Sequence, residues 1–431
     1  GNVIAQLEKN AAALLDKNRI VYGSIRTYAT PRRIALEIRG LAELGESITV
    51  ENRGPSVAAA YKDGQPTKAL EGFCRGQGIV PDAVVVREVG KDSYVFCIKE
   101  LPGISVRENL AALMAEAIDG LSFSKPMKWG SGQLAFIRPI RFLVSLLDSQ
   151  VLPFEYAGIT AGRHSRGHRF LGDGPVEIRT ALSYVEDLEK GFVIADAGRR
   201  KDLILSGIRE KEEELNLKIV VREELLNEVL FLVEYPTVFV GGDSEAYLRL
   251  PKEVIITTMV NNQKYFPVVD QDGSLKPYFI GVRCGNATGL EVVAKGNEKV
   301  LKARLDDAGF FFEEDSKVPL LDLRSKLDKV IYQEKLGSIG DKIDRITALA
   351  EFLAAELKIS NEDLRKSACL AKMDLASHMV YEFPELQGIM GSYYSLLEGY
   401  SREIAESIRE HYLPVAAGGD VAHSALGTLV S

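Results

Sequence analysis

GNEKVLKARLDDAGFFFEED, residues 296–315, is where the apolar residues of this chain change their spacing. Upstream, alternating strand-like runs are mixed with helical ones. From Asn297 onward apolar positions recur every three to four residues, the period of helices that bury one face. The change sets the fold class as α+β and multidomain: mixed elements first, then a largely helical final third. The helical spacing continues through SKLDKVIYQEKLGSIGDKIDRITALAEFLAAEL and the segments beyond Asn361. Working backwards, Asp272-Gly273 is a hairpin signal between two β-rich runs, QKYFPVV and SLKPYFIGVRC, and LFLVEYPTVFVGG reads as a further strand. Residues 105–120 and 2–17 read as helices, and 19–29 and PRRIALEIRGL as strands. Thr67 caps a helix that stops at glycine, and PDAVVVREVGKDSYVFCIKE reads as two strands around a turn at 90–93.

At 431 residues the chain has material for roughly three domains at about 150 residues each. Changes of pattern place them at 1–124 (α+β), 125–330 (mixed α/β) and 331–431 (helical, incomplete). No run of about 18 apolar residues occurs and the start lacks a signal-peptide pattern, so a cytoplasmic protein without a membrane partner is expected. The first residue is Gly1, not methionine, and an apolar pattern still runs in VAHSALGTLVS, so both ends are expected to be cut. Cys74, Cys97, Cys284 and Cys369 are scattered without a CxxC pair; they read as reduced, mostly core thiols.

The net charge of −8 argues against a nucleic-acid partner until its distribution is considered. Residues 125–172 carry +5 and the remainder −13, so one basic stripe runs through an acidic protein. Phosphate affinity depends on local neutralisation and counterion release, so such a stripe can bind a polyanion. Two clusters make it up. AGRHSRGHRFLG, residues 161–172, holds Arg163, Arg166 and Arg169 with His164 and His168. The histidines have metal-ligand spacing only on a helix, and Gly162, Gly167, Gly172 and Gly174 argue for loop or bulged strand instead. KPMKWGSGQLAFIRPIRF sets Trp129 beside Lys128, with Arg138 and Arg141 three apart, a spacing that on a helix puts both guanidiniums on one side. The aromatic can stack on a base or ribose. TPRR presents Arg32 and Arg33 on a proline turn as weaker candidates. The competing reading is a core tryptophan, with arginines that pair on the surface or brace the fold.

Catalytic patterns are scarce. The acids of FFFEED, residues 310–315, read as solvated surface. Asp374 and His378, four apart, would share a helical face, and with His411 they could ligate a metal, but helix packing is the simpler reading. The His-Asp dipeptide of HD-type phosphohydrolases is absent, as are GxSxG, GxxxxGK[ST] and GxGxxG.

Six motifs, in order, carry a resemblance: MKWGSGQLAFIRPIRFLVSLL, SRGHRFLG, LPKEVIITTMVNNQKYFPVVDQDG, GNEKVLKARLDDAGFFFEED, LGSIGDKIDRI and KMDLASHMVYEFPELQGIMGSYY. From about Thr30 to the end, the chain resembles the beta subunit of bacterial tetrameric (alpha2 beta2) glycyl-tRNA synthetase. Departures stand at Asn262, where histidine is expected, at Cys284, where asparagine is expected, and at His378, where a smaller residue is usual.

The resemblance implies an N-terminal mixed region related to the editing-like module of phenylalanyl-tRNA synthetase beta subunit, then a helical HD-like domain. It also implies that a C-terminal anticodon-binding domain and a short N-terminal segment are missing. It implies a non-catalytic subunit that binds and positions tRNA(Gly) while the alpha subunit activates glycine with ATP and magnesium. No cofactor, metal or DNA is expected in this chain. The alternatives are an HD-type metal phosphohydrolase using Asp374, His378 and His411, an editing hydrolase for mischarged tRNA, and a pure assembly scaffold.

Overall fold

The computed structural model describes residues 2–130, 132–172, 174–242, 244–357 and 361–431. The chain divides into two compact units, Gly1–Arg200 and Lys201–Ser431. Among the described residues no helix is long and apolar enough to cross a membrane.

In the first unit the helices Asn2–Lys17 and Val106–Asp119 pack through Leu15, Leu110 and Leu113. An antiparallel hairpin, Ser24–Thr30 with Arg33–Arg39, closes at the Thr30↔Arg33 pair, so Pro31 and Arg32 form its tip. A three-stranded sheet has Asp92–Leu101 between Ile48–Ser56 and Val85–Val89. The helix Lys68–Gln77 covers it with Leu70 and Cys74, and Gly78 ends that helix at φ 64°. Thr67 precedes the helix as expected but does not cap it. Its hydroxyl donates to the Ala59 carbonyl at 2.6 Å instead. Beyond residue 120 the first unit has short two-stranded ladders around Tyr28, Ile178, Leu188 and Val193. Arg200, fully buried, donates to the carbonyls of Ile194, Ala195 and Ala29 at 2.6, 2.9 and 2.6 Å.

The second unit opens on a four-stranded antiparallel sheet ordered Lys218–Ile219, Phe266–Val269, Leu275–Cys284, Pro236–Gly242. The Asp272-Gly273 hairpin forms, with Gly273 at φ 85°. Of the run LFLVE, read with the last strand, Leu230 ends the helix Glu223–Leu230 and the rest is an irregular segment. The helix Leu290–Asp315 lays Leu301 and Leu305 against Phe239, Met259 and Phe279 of this core. From there the unit is helical, with one exception the spacing did not reveal: Ile331–Gln333 and Gly337–Ser338 form a small hairpin. A second core gathers Leu323, Leu327, Ile343, Met373, Met390 and Ile408. Cys74 and Cys97 are buried, and no disulfide links the four described cysteines. Cys284, expected in a core, is exposed, its Sγ accepting the Glu234 N–H at 3.2 Å.

Candidate nucleic-acid interface

The glycine-rich arginine segment is a short strand and a tight turn, not a helix. His164–Arg166 pairs antiparallel with Pro175–Glu177. The strand ends at Arg166 and the chain turns inward, so His164 stays exposed on the strand while His168 is buried in the turn, and the two do not converge as a ligand pair. The turn after the strand is held at several points. The Gly172 N–H donates to the His168 carbonyl at 2.9 Å, and the His168 N–H to the Gly191 carbonyl at 2.7 Å. The His168 Nδ1 accepts the N–H groups of Phe170 and Leu171, both at 3.3 Å. Glycine is required here by close approach: a Cβ on Gly172 would meet the His168 nitrogen at 2.9 Å.

The hairpin tip TPRR meets this segment from outside. Arg32 Nη2 donates to the Gly167 carbonyl at 2.6 Å, and Arg33 Nη1 donates to the Arg166 carbonyl at 2.9 Å and to Ser165 Oγ at 3.3 Å. Arg33 is buried, with its guanidinium 5.8 Å from the Phe142 ring centroid, so its role is internal bracing. Arg163 braces as well. Its guanidinium donates to the carbonyls of Ser149 and Arg179 and lies 3.7 Å from Glu177. Arg166 and Arg169 point outward, are exposed, and make no ion pair with another described residue.

Residues 127–136 form a second small hairpin, Met127–Lys128 with Ala135–Phe136. Trp129 is 37% exposed and donates from Nε1 to the Phe136 carbonyl at 3.3 Å, so it is a rim residue and not a core one. Lys128 Nζ donates to Gln133 Oε1 at 3.1 Å. Arg138 and Arg141 are exposed, but no helix carries them; Pro139 stands between and the backbone is irregular. The segment still runs beside the first cluster, because Val144 bridges Gly162 in parallel and Phe142 lies against Arg33.

The suspected metal ligands of the helical part are kept apart. Asp374 sits in the 3-10 turn Met373–Ala376, extended backbone at Ser377 breaks the helix, and His378 begins the next helix, so the two share no face. Asp374 is fully buried; its Oδ2 accepts the N–H groups of Gly388 and Gly391 at 2.6 and 2.9 Å. Burial pushes its carboxyl up to about 6, against the pull of those N–H groups and of Lys372. His411 faces Lys372, Nε2 to Nζ 2.8 Å, and its Nδ1 lies 2.6 Å from the Ile408 carbonyl. His378 Nδ1 meets Asp315 Oδ1 at 2.8 Å. Among the described residues no group of three or more histidine, cysteine, aspartate or glutamate side chains is placed to hold a metal.

Asp315 corrects the reading of FFFEED. It is buried, not solvated, and receives the N–H groups of His378 and Met379, both at 2.9 Å, and the Tyr394 hydroxyl at 3.1 Å. The last acid of a long helix thus caps the start of a short one. Sequence reasoning passed over Phe170, 83% exposed at the apex of the arginine turn, and weighed His168 only as a metal ligand, not as the buried acceptor that shapes that turn. The signal was the juxtaposition of an aromatic with arginine in HRF.

Together these features define a modular α+β protein in which a braced, glycine-dependent loop and the irregular segment beside it present Arg166, Arg169, Arg138 and Arg141 outward, without an ion pair among the described residues. The chain belongs to the glycyl-tRNA synthetase beta subunit family, whose match extends over residues 1–431. It is 43% identical over 433 residues to the glycine–tRNA ligase beta subunit of Desulfitobacterium hafniense (strain DSM 10664 / DCB-2), covering 100% of this chain and 63% of that one. It is 43% identical over 430 residues to that of Streptococcus agalactiae serotype Ia and 44% over 430 residues to that of Streptococcus thermophilus, in both cases covering 99% of this chain and 63% of the relative. The chain therefore spans somewhat less than two thirds of these relatives.

Proposed function

We propose that this chain is the tRNA-binding, non-catalytic part of a glycine–tRNA ligase, positioning tRNA(Gly) for glycylation by an alpha subunit in the cytoplasm. ATP and magnesium belong to that alpha subunit. The observation carrying this reading is the set of outward cations that make no ion pair with another described residue, Arg166 and Arg169 on the braced turn with Arg138 and Arg141 beside it. A carboxylate-paired arginine has little left for a phosphate; these make no such pair among the described residues. Lys128, Trp129 and Arg32 complete the surface as minor contacts, while Arg163, paired with Glu177, braces it. The same reading takes the mixed α/β part as related to the editing-like module of phenylalanyl-tRNA synthetase beta subunit and residues 331–431 as HD-like, which superposition on solved examples of each tests.

The test is tRNA affinity against salt. Neutralised phosphates release counterions, so each arginine that contacts one should reduce the slope of log affinity against log salt by about one. Arg166→Gln with Arg169→Gln should flatten the slope by about two and reduce glycylation when the alpha subunit is supplied. Unchanged slope and charging would overturn the assignment.

A further inference from the structure

Phe170 sits at the apex of the arginine turn and is 83% exposed, more than any other phenylalanine among the described residues. A lone exposed apolar side chain is ordinary. This one is held. Its own N–H and that of Leu171 bond to buried His168, the carbonyls just before the turn take Arg32 and Arg33, and glycine at 167 and 172 lets the backbone close without a Cβ. The backbone beneath the ring is therefore fixed. The Arg169 guanidinium lies 5.8 Å from the ring centroid, and exposed His164 and Arg166 precede it on the strand.

We propose that Phe170 is a stacking platform for an unpaired RNA base, with Arg166 and Arg169 neutralising the phosphates on either side of that nucleotide. This rests on the tRNA-binding reading above and adds to it which part of an RNA the loop takes. A base within a duplex is already stacked on both faces, so an aromatic held out from the surface can engage only a nucleotide that is splayed out of a loop, bulge or end. Every base has a π-face, so the contact is tolerant of sequence. A protein partner would be expected to bury an apolar patch, whereas the ring here stands beside the Arg169 guanidinium within the +5 segment of a −8 chain.

The experiment measures binding of the chain to a tRNA transcript and to a fully paired RNA duplex of similar length, at 50 and 200 mM salt. Phe170→Ala should weaken tRNA binding roughly ten-fold or more at both salts, with the salt slope unchanged and duplex binding unaffected. Phe170→Trp should retain affinity, and Phe170→Leu, which keeps apolar bulk but not the π-face, should behave as Phe170→Ala. Arg166→Gln with Arg169→Gln should lower the slope for both RNAs. If the double arginine variant flattens the slope while Phe170→Ala binds as the parent does, stacking is overturned and tRNA binding stands; if none of these variants changes binding, both fall. Loss of alpha-subunit capture by Phe170→Ala with tRNA affinity intact would make the ring a protein contact and overturn the proposal.

Discussion

Lys372 Nζ stands 2.8 Å from His411 Nε2 inside the helical part of the second unit, two basic groups in direct contact. The arrangement is stable only if one is neutral. His411 Nδ1 faces the Ile408 carbonyl at 2.6 Å, which assigns the ring proton to Nδ1 and leaves Nε2 to accept from the ammonium. Burial, reinforced by the Lys372 charge, pushes the imidazole down to about 3; burial and the charge of Lys342 push Lys372 down to about 8. The ammonium also lies 3.8 Å from the Tyr412 ring centroid. His411→Phe should therefore destabilise the helical part by about 2 kcal/mol, because it strands a buried charge without its acceptor. Denaturant unfolding followed by helical circular dichroism checks it.

The same cluster predicts a pH profile. Asp374 is raised by burial to about 6, so between its unfolded value near 3.8 and 6 the folded state holds the proton longer and stability falls as pH rises. His411 is depressed, so between 3 and 6.5 the unfolded state binds the proton and stability grows as pH rises. The two contributions oppose each other between pH 4 and 6, each with a slope of at most about 1.4 kcal/mol per pH unit. Asp374→Asn removes the falling one, so its stability should rise more steeply with pH in that window than the parent's. Parallel profiles at pH 4, 5 and 6 would refute the opposition.

Arg33 and Arg166 belong to one loop assembly but should respond differently to substitution. Arg33→Met removes the donor from a buried carbonyl and hydroxyl, at a cost of about 3 kcal/mol, and releases the turn. Arg166→Gln leaves its own backbone carbonyl bonded and should change the melting temperature by less than 2 °C. Comparing the two by thermal melting separates bracing from ligand contact.

These pairs show what the sequence could and could not disclose. The helix Leu290–Asp315 was legible from Asn297 onward because its apolar spacing persists to the end of the helix, and the Asp272-Gly273 hairpin because that dipeptide suits the turn it makes. The hairpin at 331–338 was missed because three residues paired with two carry too little pattern to stand against a helical background. Arg138 and Arg141 had helical spacing, yet the proline between them and the irregular backbone denied them a helix. The candidate site was half visible. Arginine and glycine composition marked the loop, but which guanidiniums turn inward depended on a hairpin tip 130 residues upstream, a relation no local pattern encodes.

Two strands of the second unit make a reciprocal fit that should not tolerate a methyl group. In the ladder between Pro236–Gly242 and Leu275–Cys284, Phe239 faces Gly281 and Gly241 faces Phe279. Each ring lies over the opposite glycine: a Cβ on Gly241 would stand 2.1 Å from Phe279 Cζ, and one on Gly281 2.3 Å from Phe239 Cζ. Gly241→Ala should cost about 2 kcal/mol through forced displacement of Phe279. Phe279→Leu should relieve part of that cost in the double variant, a coupling that a double-mutant cycle measures.

At Asp315 and His378 a metal centre and a helix cap would respond differently to substitution. If the carboxylate serves to cap the helix that starts at His378, Asp315→Ala leaves the N–H groups of His378 and Met379 and the Tyr394 hydroxyl without their acceptor, costing about 3 kcal/mol. Asp315→Asn keeps one acceptor oxygen and should recover part of this. His378→Ala removes only an exposed imidazole, whose side chain is 59% accessible, and should leave stability within about 0.5 kcal/mol. A metal centre predicts the opposite pattern: both substitutions would release bound metal, and the histidine would matter as much as the aspartate. Unfolding of the three variants together with elemental analysis of the purified chain decides between them, and a stoichiometric transition metal lost in His378→Ala would refute the capping role.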